Sequence, residues 1–203
     1  MDPNEWGPDT WKFLHIVSIK SQASQAVLHD FFYNLKFILP CSTCRRNYDT
    51  HFNAIEFPTH KKEIAGWLIK IHNRVNQSIQ QRHEDEALML EMWKTKARAI
   101  RRSSDMGIWT FVKCSVDTHP GKYKISSQQE KALHMFWKFL PELLPNTLED
   151  YSEICAYVEE RRIMDIVSLK GAYHNEVQKL FDRFHLMYRS IKDCGRANYC
   201  VRR

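Results

Sequence analysis

The sequence predicts an all-α protein: a four-helix bundle followed by a second helical region, an extension or a degenerate second bundle. Three observations carry this. The 203 residues contain only six glycines. Strand-like alternation of β-branched residues is scarce, while apolar residues recur every three or four positions. Pro40 and Pro58 fall where one apolar period stops and the next begins. A chain of this length holds one or two domains, and either arrangement buries a real core.

The elements follow in order. Asp9-Thr10 offers a cap for a first helix through Lys20, with Pro8 at its entry. A second helix is expected over Ser21–Leu39, with Val27, Phe31, Leu35 and Ile38 as its buried stripe. Pro40 interrupts it, and a third helix starts at Cys41 and runs to Phe52. After Pro58, a fourth spans Lys61–Gln80 with Ile64, Trp67, Leu68, Ile71 and Val75 facing inward. Four helices on short connections make a bundle. Residues 1–80 are therefore expected to form one domain and 81–203 an additional helical region for dimerisation or partner binding.

The second region opens with a charged helix over Gln81–Arg102. Ser103–Gln128, with Gly107, Pro120 and Gly121, reads as the least regular stretch. Helices resume at Gln128–Leu140, Thr147–Leu169 and Ala172–Lys192, and a tail carries Cys194 and Cys200. Trp11-Lys-Phe-Leu14 recurs as Trp137-Lys-Phe-Leu140. Duplication and coincidence in an aromatic-rich helical chain both explain the echo.

Bulk properties narrow the function. The hydrophobic fraction is 43%, yet no apolar run approaches the ~20 residues a membrane span needs. The first residues, Met1-Asp2-Pro3-Asn4-Glu5, are polar and acidic, unlike a secretory signal. A soluble protein, cytosolic or recruited elsewhere, is expected. Net charge is +6, and the basic residues cluster only at Lys94, Lys96, Arg98, Arg101 and Arg102. That cluster is a solvated helix face or a patch for phosphate. No nucleic-acid-binding signature is present.

Six cysteines (Cys41, Cys44, Cys114, Cys155, Cys194 and Cys200) are too sparse for a disulfide scaffold. Cys41-Ser-Thr-Cys44 carries the chemical interest. A cysteine at a helix N-terminus has its thiol pKa lowered by backbone N–H groups. The two-residue spacer keeps both sulfurs close enough for a small disulfide that can take electrons from a substrate dithiol. The pair also fits half a zinc site, but the other ligands would have to be recruited singly from His51 and His60. Inert cysteines are the third reading.

Two helical faces accompany the dithiol. Trp11, Leu14 and His15 share one face of the first helix, with Trp11 and His15 four apart. On the fourth helix His72 and Asn76 are four apart, Asn73 lies beside them, and Trp67 heads the adjoining stripe. Trp and His stack on flat heterocycles, and Asn amides hydrogen-bond their edges. Each face alone also fits an ordinary core.

Together these pieces resemble the Erv/ALR family of FAD-linked sulfhydryl oxidases. The similarity runs from Trp6 to Gln80 and rests on Trp6-Gly7-Pro8, Trp11, Leu14-His15, Pro40-Cys41, Cys44, Trp67-Leu68, His72-Asn73 and Val75-Asn76. Leu39-Pro40-Cys41 through Cys44-Arg45 is most similar to the forms encoded by large DNA viruses. The resemblance implies a four-helix bundle holding FAD, with Cys44 next to the flavin and Cys41 meeting substrate. It implies that Trp6, Gly7, Trp11, His15, Trp67, His72, Asn73 and Asn76 line the cofactor, with no metal. It further implies protein-thiol substrates, molecular oxygen as acceptor, hydrogen peroxide as product, and a homodimer. The cytoplasm of a virus-infected cell, or the virion, is the implied location.

This chain departs from the family pattern in three ways. No cysteine pair brackets the His/Asn motif. Ser78 and Gln81 stand where lysines often approach the FAD phosphates, which leaves Arg74, Arg82 or the basic cluster for that role. Residues 81–203 exceed the minimal module. Cys194 and Cys200 suit a shuttle disulfide or a pair with no redox role. The competing functions are a non-catalytic helical scaffold and a zinc-binding helical module.

Overall fold

The computed structural model describes residues 2–117 and 125–184. Every regular element among them is helical, and α1 to α9 follow one another in chain order. The expected all-α class is what the chain adopts.

α1 spans Pro3–Lys20. It starts six residues before the expected cap, because Asp2 accepts the Asn4 N–H and Pro3 occupies the first turn, where its missing donor costs nothing. Pro8 is carried inside the helix. Asp9 does not cap α1; it accepts the Thr110 hydroxyl at 2.6 Å. α2 spans Gln25–Ile38 and starts later than expected, at the Ser24 cap. α3 (Ser42–Asn53) begins at the dithiol as expected, with Cys41 as N-cap. A single tight turn, Lys61–Glu63, leads into α4 (Ile64–Ser78). α5 spans Glu86–Ala99 and is capped by Asp85.

The second half departs further from expectation. The stretch expected to be irregular contains α6, Ile108–Asp117. Its entry is a tight turn, Ser103–Met106, closed by Gly107 at φ +80°. A Cβ at Gly107 would stand 2.3 Å from the Asp9 backbone oxygen, so this glycine lets α6 abut α1. α7 covers Ser127–Leu143. The helix expected over Thr147–Leu169 divides at Arg162, whose left-handed backbone ends α8 (Tyr151–Arg161). α9 covers Lys170–Arg183. Cys194 and Cys200 lie outside the described residues.

The packing joins the halves. α1 meets α4 and α5 on one side and α6 on another; α2 meets α3 and α7. Phe13 of α1, Phe31 of α2, Phe111 of α6 and Phe136 of α7 form one aromatic cluster, with centroids 5.4–6.5 Å apart. The main core runs without a break through both halves. The loop between α1 and α2 is tied to the end of α7, where the N–H groups of Gln22 and Ala23 donate to the Glu142 carbonyl. The boundary expected at residue 80 falls between α4 and α5, yet α5 packs on α1 and α4 and sits with the first half.

Candidate functional site

The dithiol is built by an elbow. The Leu39 N–H closes α2 onto the Leu35 carbonyl, Pro40 turns the chain, and Cys41 starts α3. Arg45 holds both sides of the turn. Its N–H donates to the Cys41 carbonyl at 2.9 Å, and its guanidinium donates to the Phe37 carbonyl at 3.2 Å. Both sulfurs are half-buried thiols. The Cys44 N–H donates to the Cys41 sulfur at 3.2 Å.

That geometry separates the two thiols. Burial pushes the Cys41 pKa up. The Cys44 thiol and the N–H groups of Cys44 and Thr43 outweigh burial and bring it below the ordinary value. The Cys44 thiol is pushed up to about 12, first by burial and then by its shared proton and the charge on Cys41. In the reduced pair Cys41 is therefore the sulfur that gives up its proton first, and Cys44 holds its own more tightly. This is the chemistry of an exchange-active dithiol whose outer sulfur is the reactive one.

The aromatic site forms where α1, α4 and α5 meet. Trp11 stacks on His72 with centroids 3.9 Å apart and planes 8° apart. His72 Nδ1 lies 3.0 Å from His15 Nε2. His15 in turn stacks on Trp93 at 4.4 Å. Four rings from three helices thus make a continuous slab. Burial holds His72 down at about 4. Burial, then His72, then Lys96 holds His15 well below its ordinary value. Both imidazoles are neutral at neutral pH, so one nitrogen of the 3.0 Å pair donates and the other accepts.

His15 Nδ1 and Trp93 Nε1 are buried without a hydrogen-bond partner. Buried polar atoms are seldom left so, and two in one aromatic slab mark a surface built for a ligand with its own polar edge. The set therefore fits the flat, nitrogen-rich ring system that the resemblance implies.

The expected residues divide. Trp11, His15 and His72 come together as one unit. Trp6 is buried, with its indole N–H unpartnered, and Gly7 has open space around its Cα. Trp67 lies in a different aromatic cluster, among Phe32, Phe52 and Phe57, and donates to the Ile55 carbonyl. Asn76 is buried, and its carbonyl accepts the Ile79 and Gln81 N–H groups that end α4. Asn73 turns its amide to the chain, donating to the Glu84 carbonyl at 2.9 Å and accepting the Glu84 N–H at 3.0 Å.

Sequence reasoning missed Trp93. It took α5 for a charged helix, although Met89, Trp93 and Ala97 form a buried stripe at four-residue spacing. Of the basic cluster, only Lys96 reaches this site, with its ammonium 4.5 Å from the Trp93 ring centre. Lys94 pairs with Glu91, and the Arg101 guanidinium caps the end of α5 on the Arg98 and Ile100 carbonyls. Among the described residues, no group of three or more His, Cys, Asp or Glu could hold a metal ion.

Comparison with known proteins agrees with this geometry. Residues 8–94 match the Erv1 / Alr family, a span that opens just before Trp11 and closes just after Trp93. The likeness is confined to that segment, which is less than half of the chain. Over 85 residues it is 32% identical to the probable FAD-linked sulfhydryl oxidase R368 of Acanthamoeba polyphaga mimivirus. That alignment covers 37% of this chain and 59% of the relative, so the chain spans less than two thirds of the curated relative it matches. No solved structure matches.

Proposed function

We propose that this protein is an FAD-linked sulfhydryl oxidase that makes disulfides in substrate proteins. One observation carries the reading: a helix-capping dithiol with a low-pKa outer sulfur shares a fold with a ring slab holding unpartnered donors. The matching segment and the relative named as a probable FAD-linked sulfhydryl oxidase support it.

In the oxidised protein, Cys41 and Cys44 are joined. A substrate thiolate attacks the Cys41 sulfur; the Cys41–Cys44 bond breaks and Cys44 leaves as a thiolate. A second substrate thiol, deprotonated, attacks the substrate sulfur of the mixed disulfide. Its product is the substrate disulfide, and Cys41 departs as the thiolate that the α3 N–H groups favour. While Cys41 is tied up in the mixed disulfide it carries no negative charge, so part of what raises Cys44 is removed. Bound FAD supplies the two-electron acceptor and its reoxidation by oxygen to give hydrogen peroxide. Trp11, His15, His72 and Trp93 would hold its rings, with the Lys96 ammonium 4.5 Å from the Trp93 ring centre.

The homodimer that the resemblance implies must use surface outside the areas of α1 and α2 already packed against α6 and α7. No helix among the described residues is long and apolar enough to cross a membrane. Disulfide formation in the cytoplasm of an infected cell, during assembly of viral particles, is the setting we assign.

The visible spectrum tests the reading. A flavin band that dithiothreitol bleaches without oxygen and air restores supports it. A protein that stays colourless after refolding with FAD leaves a helical scaffold. Cys41→Ser and Cys44→Ser each should abolish oxygen consumption with a dithiol while the flavin band persists. Turnover retained in either variant defeats the assigned roles.

A further inference from the structure

Asn73 sits on the site-facing side of α4, next to His72, yet its amide meets the backbone of another segment. It is 2% exposed. Two hydrogen bonds tie it to Glu84, one to the carbonyl at 2.9 Å and one from the N–H at 3.0 Å, and its amide nitrogen also lies 3.5 Å from His83 Nε2. This two-point clasp fixes the connection between α4 and α5 at one residue. That connection leaves α4 through Gln80, whose φ is +58°, and the Gln81 N–H donates to the Asn76 carbonyl at 2.8 Å. Directly after Glu84, Asp85 caps α5 by accepting the Leu88 N–H at 2.9 Å. Two turns further on, Trp93 stacks on His15.

α5 packs on α1 and α4 through a short apolar stripe, and its end joins the main core at Ala97 and Ile100. Its buried residues are Met89, Trp93 and Ala97. Met89 and Trp93 form a small cluster with Ile69, outside the main core. Leu88 and Met92 on its other side are exposed. The apolar contact around Met89 and Trp93 is small, and the buried two-bond clasp at the entrance of the helix adds a constraint there.

We infer that Asn73 is a positioning residue: its clasp on Glu84 seats α5, and α5 seats Trp93 over His15 as the outer wall of the cofactor site. This rests on the reading of the site as flavin-binding. It assigns Asn73 a role through the chain rather than a contact with the cofactor. The consequence is kinetic, because releasing the clasp lets α5 lift and opens a path for the flavin to leave.

Two variants separate this from a direct contact. Asn73→Ala removes both bonds to Glu84 and the contact with His83. Glu84→Pro deletes the N–H donor on the far side of the clasp, with some added backbone restriction there, and leaves the Asn73 amide intact. The flavoprotein is loaded with FAD, and dissociation is followed by the rise in flavin fluorescence on dilution. Both single variants should release FAD roughly tenfold faster than the parent, and the double variant no faster than Asn73→Ala. Amide hydrogen exchange of the flavin-free protein supplies the second readout. Exchange within Glu86–Ala99 should quicken in both variants, while Gln25–Asn53 keeps its protection. An Asn73 that acted only on overall stability would quicken both segments alike, and that result overturns the inference. So does a Glu84→Pro variant with parental FAD release and parental α5 exchange. If the protein takes up no FAD, the proposed function fails, and the exchange experiment still decides whether the clasp seats α5.

Discussion

Trp11 and Trp137 open the same four-residue string, Trp-Lys-Phe-Leu, and meet opposite environments. Trp137 is fully buried, and its indole N–H donates to the Tyr173 hydroxyl at 3.1 Å. That hydroxyl also meets Ser115 at 3.1 Å. Nearby, buried Asp150 accepts the Ser103 N–H and hydroxyl, and Ser103 accepts the Trp109 indole. Trp11 is only half-buried, and its ring is stacked on His72, one bond away from the unpartnered Nδ1 of His15. Among the described residues of α6–α9, the one buried side-chain N or O atom without a partner is Glu176 Oε2. The first half leaves Trp6, Thr10, His15, Ser21, Gln25, His51 and Trp93 with such atoms. A region that satisfies its own polar groups is finished as structure. Under the proposed function, the unsatisfied atoms of His15 and Trp93 are the ones a bound cofactor would satisfy.

The comparison can be broken most forcefully at the seam between the halves. Gly107→Ala puts a Cβ against the Asp9 backbone and a side chain at positive φ, and should cost more than about 2 kcal/mol of stability. A single cooperative melt that takes the flavin site down with it would mean that one core serves both halves. A first transition that spares the flavin band would mean that they are separable. Asp150→Ala should be nearly as damaging, at about 2–3 kcal/mol, because it strands the Ser103 donors. Flavin affinity should not change, and titration with FAD checks that.

Matched substitutions sharpen the contrast. Trp137→Phe loses a buried hydrogen bond and leaves a cavity, so thermal stability should fall by about 1–3 kcal/mol. Trp11→Phe should cost less stability and more cofactor affinity. Equal effects on both readouts from both variants would dissolve the distinction.

The smallest effect comes from pH. Burial lowers His72 to about 4 and holds His15 well below its ordinary value of 6.5. Below that value the unfolded chain binds protons that the folded site refuses. Stability from the neutral pair is thus complete above pH 6.5 and is lost as pH falls toward 4. His72→Phe keeps a ring against Trp11 without titrating. Its melting temperature should fall less over that interval than the parent's, and an identical fall would clear the histidines of the effect.

How much of this was legible follows from the range of the interactions. The dithiol at the start of α3 is written locally, in Pro40 and the two-residue spacer. So is the shared face of Trp11 and His15, because four-residue spacing fixes it. The start of α1 was misplaced because Asp2-Pro3 competes with Asp9-Thr10 as a cap, and only the seating of Asp9 against Thr110 decides between them. α6 went unseen because Gly107 reads as a break, whereas it serves a close approach between two helices. Trp67 looked like a site residue beside His72, but its ring packs into the Phe32, Phe52 and Phe57 cluster.

The sequence by itself determined the helical class, the position of the dithiol and the identity of the histidines, because periodicity and capping act within one or two turns. The tertiary structure decided that Trp93 completes the ring slab, that Asn73 faces Glu84, and that α6 and α7 cover α1 and α2. Each of those joins residues on different helices. Which partner wins depends on the geometry of the whole packed core, and local sequence does not encode it.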